Sequence, residues 1–196
     1  MMGRMKVIVI ANTKGGVGKT TTAVYLAMAA YNADPDGSVT LLDCDPQKSA
    51  TAWANIASGA GDPLPYRVTD GAVRALHALQ GCDVVIVDTP TGDGRMLREL
   101  AREADMVVVP TEPDGLGLAR TYATLDVCGD KGVVLLTRVR RRTRLYAEAK
   151  GALADDGAAI FDTEITDSVR YRTYGTRPQT AGEYADVWRE IREELG

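Results

Sequence analysis

Five short aliphatic runs recur along this chain, each apolar at almost every position and each stopped by a polar residue or a turn. They are Lys6 to Ala11 (KVIVIA), Val39 to Leu42 (VTLL, then Asp43), Val84 to Val87 (VVIV, then Asp88), Met106 to Val109 (MVVV, then Pro110) and Val133 to Leu136 (VVLL, then Thr137). A strand apolar on both faces needs cover on both faces, as parallel sheets have and exposed antiparallel sheets lack. The runs are short and rich in β-branched residues, which favours strands over buried helix. Helical patterns lie between them, such as the Ala-rich stretch Thr20 to Tyr31. The alternation predicts an α/β fold: a doubly wound, mostly parallel sheet with helices on both faces. In such folds ligands sit beyond the carboxyl ends of the strands. The unusual polar residues, Lys14 to Thr21, Asp43, Asp45 and Asp88, all follow strand ends.

A chain of 196 residues can bury a core of ordinary size in one domain. There is no internal repeat and no linker that would divide it, so the reading is one domain over residues 1–196, with no separate N-terminal DNA-binding domain. Gly and Pro cluster only in Ser58 to Pro65 (SGAGDPLP), which reads as a surface loop. The formal net charge of -4 argues against a nucleic-acid binder driven by overall charge, so any DNA contact must come from a local patch. Cys44, Cys82 and Cys128 lie far apart without metal-ligand spacing and read as free thiols in a reducing compartment. No apolar run approaches the roughly 20 residues needed to span a bilayer. The start of the chain lacks the apolar stretch of a signal peptide, so the expected location is cytoplasmic.

The sharpest local signal is KGGVGKTT, Lys14 to Thr21, between the first strand and a helix. That is the context of a phosphate-binding P-loop. Gly15, Gly16 and Gly18 let the amides around Val17 turn inward onto phosphate oxygens. The helix that begins beyond the loop adds the positive end of its dipole. Lys19 would reach the β- and γ-phosphates, and the Thr20 hydroxyl, followed by Thr21, would ligate Mg²⁺. One departure stands out: the common pattern wants Gly where this chain has Thr13, and a second lysine, Lys14, stands at the loop entrance.

KGGVGKTT resembles the deviant Walker A motif of the ParA/MinD ATPases. The resemblance extends through LLDCDPQKSAT (Leu41 to Thr51), VVIVDTP (Val84 to Pro90), ADMVVVPTEPDGLGLA (Ala104 to Ala119) and LLTRVRRRTRL (Leu135 to Leu145), in the family's order. The length is that of the small ParA-type partition ATPases. The resemblance implies ATP hydrolysed to ADP, with Mg²⁺. It assigns Lys14 to a partner subunit's nucleotide across a dimer interface. It also assigns Asp45 to the attacking water, Asp43 to the surroundings of the metal and the lysine, and Asp88 to Mg²⁺ through its water shell. Thr89 to Gly94 (TPTGDG) would be the γ-phosphate switch. Thr137 and Arg138 would lie near the base, and a proline-rich segment here containing Pro110 and Pro113 would pack in the ATP dimer.

Arg138 to Arg144 (RVRRRTR) holds five arginines in seven residues. A guanidinium suits phosphate because its planar fork donates two hydrogen bonds. By resemblance, Arg142 and Arg170 fall at positions used for sequence-independent DNA binding. The C-terminal stretch Glu183 to Leu195 has Tyr184, Val187, Trp188, Ile191 and Leu195 at helical spacing, opposite a mostly acidic face. A helix that meets anionic lipid should be basic, so this one reads as core-packing. His77 reads as a structural residue of an Ala/Leu helix. The resulting expectation is a DNA-partition ATPase. ATP would close a homodimer on nonspecific DNA, and a small centromere-binding adaptor would stimulate hydrolysis, with no stable membrane association. The active form would be nucleoid-associated. A MinD-like membrane-associated ATPase, a switch that moves protein cargo and an iron–sulfur carrier are the alternatives.

Overall fold

In the computed structural model, which describes residues 4–79 and 81–196, six parallel strands form one sheet in the order β3-β2-β4-β1-β5-β6. The strands are β1 (Lys6–Ile10), β2 (Val39–Asp43), β3 (Arg67–Asp70), β4 (Val84–Asp88), β5 (Met106–Thr111) and β6 (Gly132–Leu136). Five of them match the aliphatic runs. The sixth, β3, was not expected. It reads RVTD, lies at the sheet edge beside β2, and is half exposed. An edge strand needs little apolar cover, so its sequence carries no apolar run.

The period-2 alternation of a strand sends neighbouring residues to opposite faces. Ile8 and Ile10 of β1 pack on one side and Val7 and Val9 on the other. Three helices enter the core of the first face: α1 (Lys19–Ala33), α2 (Ser49–Gly59) and α6 (Tyr184–Leu195). The second face carries a 3-10 segment (Val73–Leu79), α3 (Gly94–Glu103) and α4 (Gly115–Cys128). The helix α5 (Arg144–Asp155) closes a smaller cluster with Val134 and Leu136 of β6. The expected Ala/Leu helix around His77 is this 3-10 segment, and His77 is exposed on it. Cys44, Cys82 and Cys128 are free thiols.

The C-terminal helix packs as its pattern demands. Tyr184, Val187, Trp188 and Ile191 are buried against α1, and the Tyr184 hydroxyl shares a 3.0 Å hydrogen bond with that of Thr22. A ring cluster of Tyr25, Tyr171 and Tyr184 fills the gap between the two helices, with Tyr25 and Tyr171 edge-to-face at 4.9 Å. Among the described residues no helix is long and apolar enough to cross a membrane.

Candidate nucleotide site

The strand order creates a crevice. From β1 the chain enters α1 on one face, whereas from β4 it enters α3 on the other. The two loops therefore part at the carboxyl edge, between neighbouring strands. The glycine loop lies there. Gly16 and Gly18 have φ of 81° and 89°, a left-handed backbone that glycine adopts without steric cost. Gly18 is the N-cap of α1 and supplies no side chain to the first turn, which also holds no acidic residue. The helix thus presents its amides and dipole to whatever enters the loop.

Thr13 explains its own departure from the common pattern. It is absent from the positive-φ positions, so no glycine is required there. Its amide donates to Thr124 Oγ1 at 3.2 Å, and its hydroxyl donates to the Arg120 carbonyl at 3.1 Å. Buried Asn12 donates to the Pro110 carbonyl at 2.8 Å and accepts the Lys14 amide at 2.8 Å. The root of the loop is thereby fixed to β5 and α4.

The register of the sheet assembles the acidic groups. Asp43 of β2 pairs directly with Asp88 of β4, and both are fully buried. Asp88 Oδ2 accepts the Thr20 hydroxyl at 2.7 Å. Its other oxygen, Oδ1, is buried without a partner among the described residues. Burial, reinforced by Asp43 and only partly opposed by the Thr20 hydroxyl, pushes the Asp88 carboxyl up to about 7. Asp43 is satisfied differently. One oxygen accepts the Thr51 amide and hydroxyl at 2.9 and 2.8 Å, and the other accepts the Asp45 amide at 3.1 Å. Asp43 thus fastens the loop after β2, whereas Asp88 retains an open valence.

Lys19 is buried, and its ammonium donates to Thr91 Oγ1 at 2.8 Å. Desolvation lowers its pKa, against the attraction of Asp88 and Asp45. Thr91 lies in the Thr89 to Gly94 segment, so the loop lysine already touches the expected switch. Thr89 anchors that segment by donating to the Ile10 carbonyl at 2.8 Å. Lys14 turns back onto its own subunit: its ammonium lies 2.5 Å from Asp114 Oδ2. Asp114 caps α4, where its side chain accepts the Gly117 amide. Burial would raise the Asp114 carboxyl, but the bonds from Lys14 and Gly117 hold it below the usual carboxylate range.

The residues fit a magnesium-bound nucleotide. Among the described residues no group of three or more acidic, His or Cys ligands could cage a metal alone. A hard cation here would need phosphate oxygens and waters beside Thr20 and Asp88, which is how Mg²⁺ is usually held. The buried, unpartnered Asp88 Oδ1 is an oxygen that such a hydrated ion would satisfy.

Thr137 and Arg138 follow β6 as expected, but their side chains are engaged. The Thr137 hydroxyl donates to the Val17 carbonyl at 3.1 Å and braces the glycine loop. The Arg138 guanidinium pairs with Glu112. Both residues, with Val17, Gly18 and Thr21, line a small cleft beside the loop.

Of the five arginines in the 138–144 run, four are ion-paired within the chain. Arg138 pairs with Glu112, Arg140 with Asp167, Arg141 with Glu164 and Arg144 with Glu148. Arg142 is exposed and has no ion pair among the described residues. Arg170 is half exposed and stands 3.9 Å from Glu183.

Residues 8–178 match the family model described as the CobQ/CobB/MinD/ParA nucleotide binding domain. The chain belongs to this family. Its relatives include maintenance of carboxysome distribution protein A of Gloeobacter kilaueensis, 38% identical over 167 residues, covering 82% of this chain and 76% of that protein. Protein ParA of Rhizobium radiobacter is 31% identical over 188 residues, covering 85% of this chain and 81% of its own length. Among solved structures, the Cyanothece McdA–ATP complex superposes with a TM-score of 0.76 at 21% identity, covering 99% of this chain and 97% of that one. At that identity the likeness concerns the fold, and it confirms the P-loop α/β architecture. In this family member the glycine loop, Lys19, Thr20 and Asp88 stand together at the carboxyl edge of β1 and β4. Sequence reasoning missed Thr51 and Asp114, which hold Asp43 and Lys14. Both are ordinary loop or helix-start residues until the fold places them.

Proposed function

We propose that this protein is a Mg²⁺-dependent ATPase whose bound nucleotide switches it between a monomer and a homodimer, in a partition or positioning role. The observation that carries the reading is the buried Asp88 oxygen without a partner, opposite the Thr20 hydroxyl and next to Lys19 at the head of the glycine loop. Bound Mg²⁺ would neutralise charge on the phosphates. Thr20 and Asp88 would hold that ion, Lys19 and the loop amides of Gly15 to Thr20 would hold the phosphate oxygens, and Asp45 would orient water. Phosphoryl transfer depends chiefly on such alignment and charge stabilisation. ATP entering the loop competes for the Lys19 ammonium, which now rests on Thr91. Release of Thr91 transmits the presence of the γ-phosphate to the 89–94 segment.

Lys14 stands at the loop mouth, held by a half-exposed ion pair that a partner's nucleotide could displace. A ParA and a carboxysome-distribution protein among the relatives support partition or positioning of a large cargo. Arg142 is the arginine of the basic run best placed to meet DNA phosphate, with Arg170 as a weaker second. The paired arginines leave the patch modest, so DNA binding depends on two copies and falls steeply with salt. The membrane-associated alternative is disfavoured, because the apolar face of α6 is occupied by α1. The test is DNA binding by the intact protein with ADP, with ATP, and with ATP plus Lys14→Ala. Binding that needs ATP and is lost in the variant is expected. Binding indifferent to nucleotide would overturn the switch.

A further inference from the structure

Two non-glycine residues of the described chain have a left-handed backbone, Lys48 and Arg138. Lys48 has φ 54° and ψ 38° and is the N-cap of α2, where it makes no side-chain capping bond. A residue with a Cβ is disfavoured in this conformation, and such outliers gather where the surroundings over-determine them. Glycine would suit the backbone better, so the Lys48 side chain must earn its place.

Its surroundings show how. The Lys48 amide donates to the Asp45 carbonyl at 2.9 Å, which closes the turn 45–48, and the Gln47 amide donates to Asp45 Oδ1 at 2.8 Å. The Lys48 ammonium reaches back to the Asp43 carbonyl at 3.2 Å and to Asp70 Oδ2 at 3.5 Å. One side chain thus spans the turn and ties it to the ends of β2 and β3. Asp43, Asp45, Asp70 and Asp88 all lie at or just beyond the carboxyl ends of adjacent strands. Four carboxylates so close repel one another, and Lys48 and Lys19 are the cations set among them.

We infer that Lys48 is a positioning residue for hydrolysis: its strained backbone and its tethered ammonium fix the Asp45 turn so that the Asp45 carboxylate is held ready for water. The inference rests on the role proposed above for Asp45. It requires no contact between Lys48 and nucleotide, so affinity and turnover should separate.

Three variants test it. Lys48→Gly relieves the backbone and removes the ammonium, Lys48→Met keeps the Cβ and removes the ammonium, and Lys48→Arg keeps a cation of similar reach. Each is assayed in the full chain for melting temperature, for Mg·ATP affinity and for single-turnover hydrolysis with enzyme in excess. Lys48→Gly should melt no lower than the parent and bind Mg·ATP within about twofold, while its hydrolysis rate falls about ten- to a hundredfold, the scale of a misplaced reacting group. Lys48→Met should slow to a similar degree, and Lys48→Arg should recover most of the rate. Wild-type turnover in both the Gly and Met variants would overturn the inference, as would a loss confined to nucleotide affinity. Asp45→Ala run alongside separates the two levels. If Asp45→Ala is inactive while the Lys48 variants turn over normally, only Lys48 is misassigned. If Asp45→Ala itself hydrolyses at the parent rate, the proposed role of Asp45 fails and the inference goes with it.

Discussion

Asp88→Asn should make the nucleotide-free protein more resistant to alkaline conditions while abolishing its Mg²⁺-dependent nucleotide binding. Asp88 is fully buried, its carboxyl is pushed up to about 7 from an ordinary 3.8, and one oxygen has no partner among the described residues. In the unfolded chain the group ionises near its ordinary value. The folded state therefore favours the protonated acid, and the stability linked to that proton is complete below about pH 3.8 and is lost as pH rises toward 7. Each pH unit well inside that window is worth on the order of 1 kcal/mol, so between pH 5 and pH 7 the parent loses roughly 2 kcal/mol through this group. Asparagine has no charge to bury and loses nothing through this route. Its amide still has an unpaired group in the same place, so the absolute stability at pH 5 is not the diagnostic quantity. The diagnostic quantity is the difference between parent and variant measured at both pH values. Urea unfolding of both proteins at pH 5 and pH 8, with no nucleotide or Mg²⁺, gives it directly. The variant should gain on the parent by about 2 to 3 kcal/mol across the interval. A gap that stays constant with pH would mean that Asp88 is not a buried, strained acid, and the argument for its open valence toward a cation would go with it. Adding Mg·ATP should raise the parent's midpoint at pH 8 and leave that of the variant in place, because a bound ligand stabilises only the state that holds it.

Two further outcomes probe the dimer switch and the C-terminal helix. Asp114→Asn retains an acceptor for the Gly117 amide but releases Lys14; the ion pair is partly exposed, so its loss is worth at most about 1 kcal/mol, or up to about fivefold in the protein concentration needed for ATP-dependent dimerisation. Sedimentation velocity across a concentration series reads that midpoint, and an unshifted midpoint would show that Lys14 is not restrained by Asp114. Ile191→Ala removes a side chain with no solvent exposure from the α1–α6 contact and should cost about 2 to 5 kcal/mol. A loss below about 1 kcal/mol in urea unfolding would mean that the face of α6 is not part of the core.

Five strands were legible because a strand covered on both faces must be apolar almost throughout, and little else in a chain of this size looks like that. The strand β3 was not, because at the sheet edge Arg67 and Asp70 can face solvent and leave no hydrophobic trace. The glycine loop was legible because phosphate binding demands a consecutive backbone, and consecutive demands are written in consecutive letters. Thr13 looked like a defect in that motif. Its fixing to Thr124 and Arg120 is written more than 100 residues away. The basic run from Arg138 to Arg144 misled in the opposite sense. Its letters show charge, but the carboxylates that offset four of the five arginines come mostly from elsewhere in the chain.

The sequence by itself determined the parallel α/β core, the phosphate loop with Lys19 and Thr20, and the acids at the strand ends, because each follows from local covalent order and hydrophobic period. Only the tertiary structure decided that Asp43 is saturated while Asp88 keeps an open oxygen, that Lys14 rests on Asp114, and that Lys48 is bent into a left-handed turn beside Asp70. Those outcomes depend on which strands become neighbours and in what register. A through-space pairing of that kind has no signature in the order of residues along the chain.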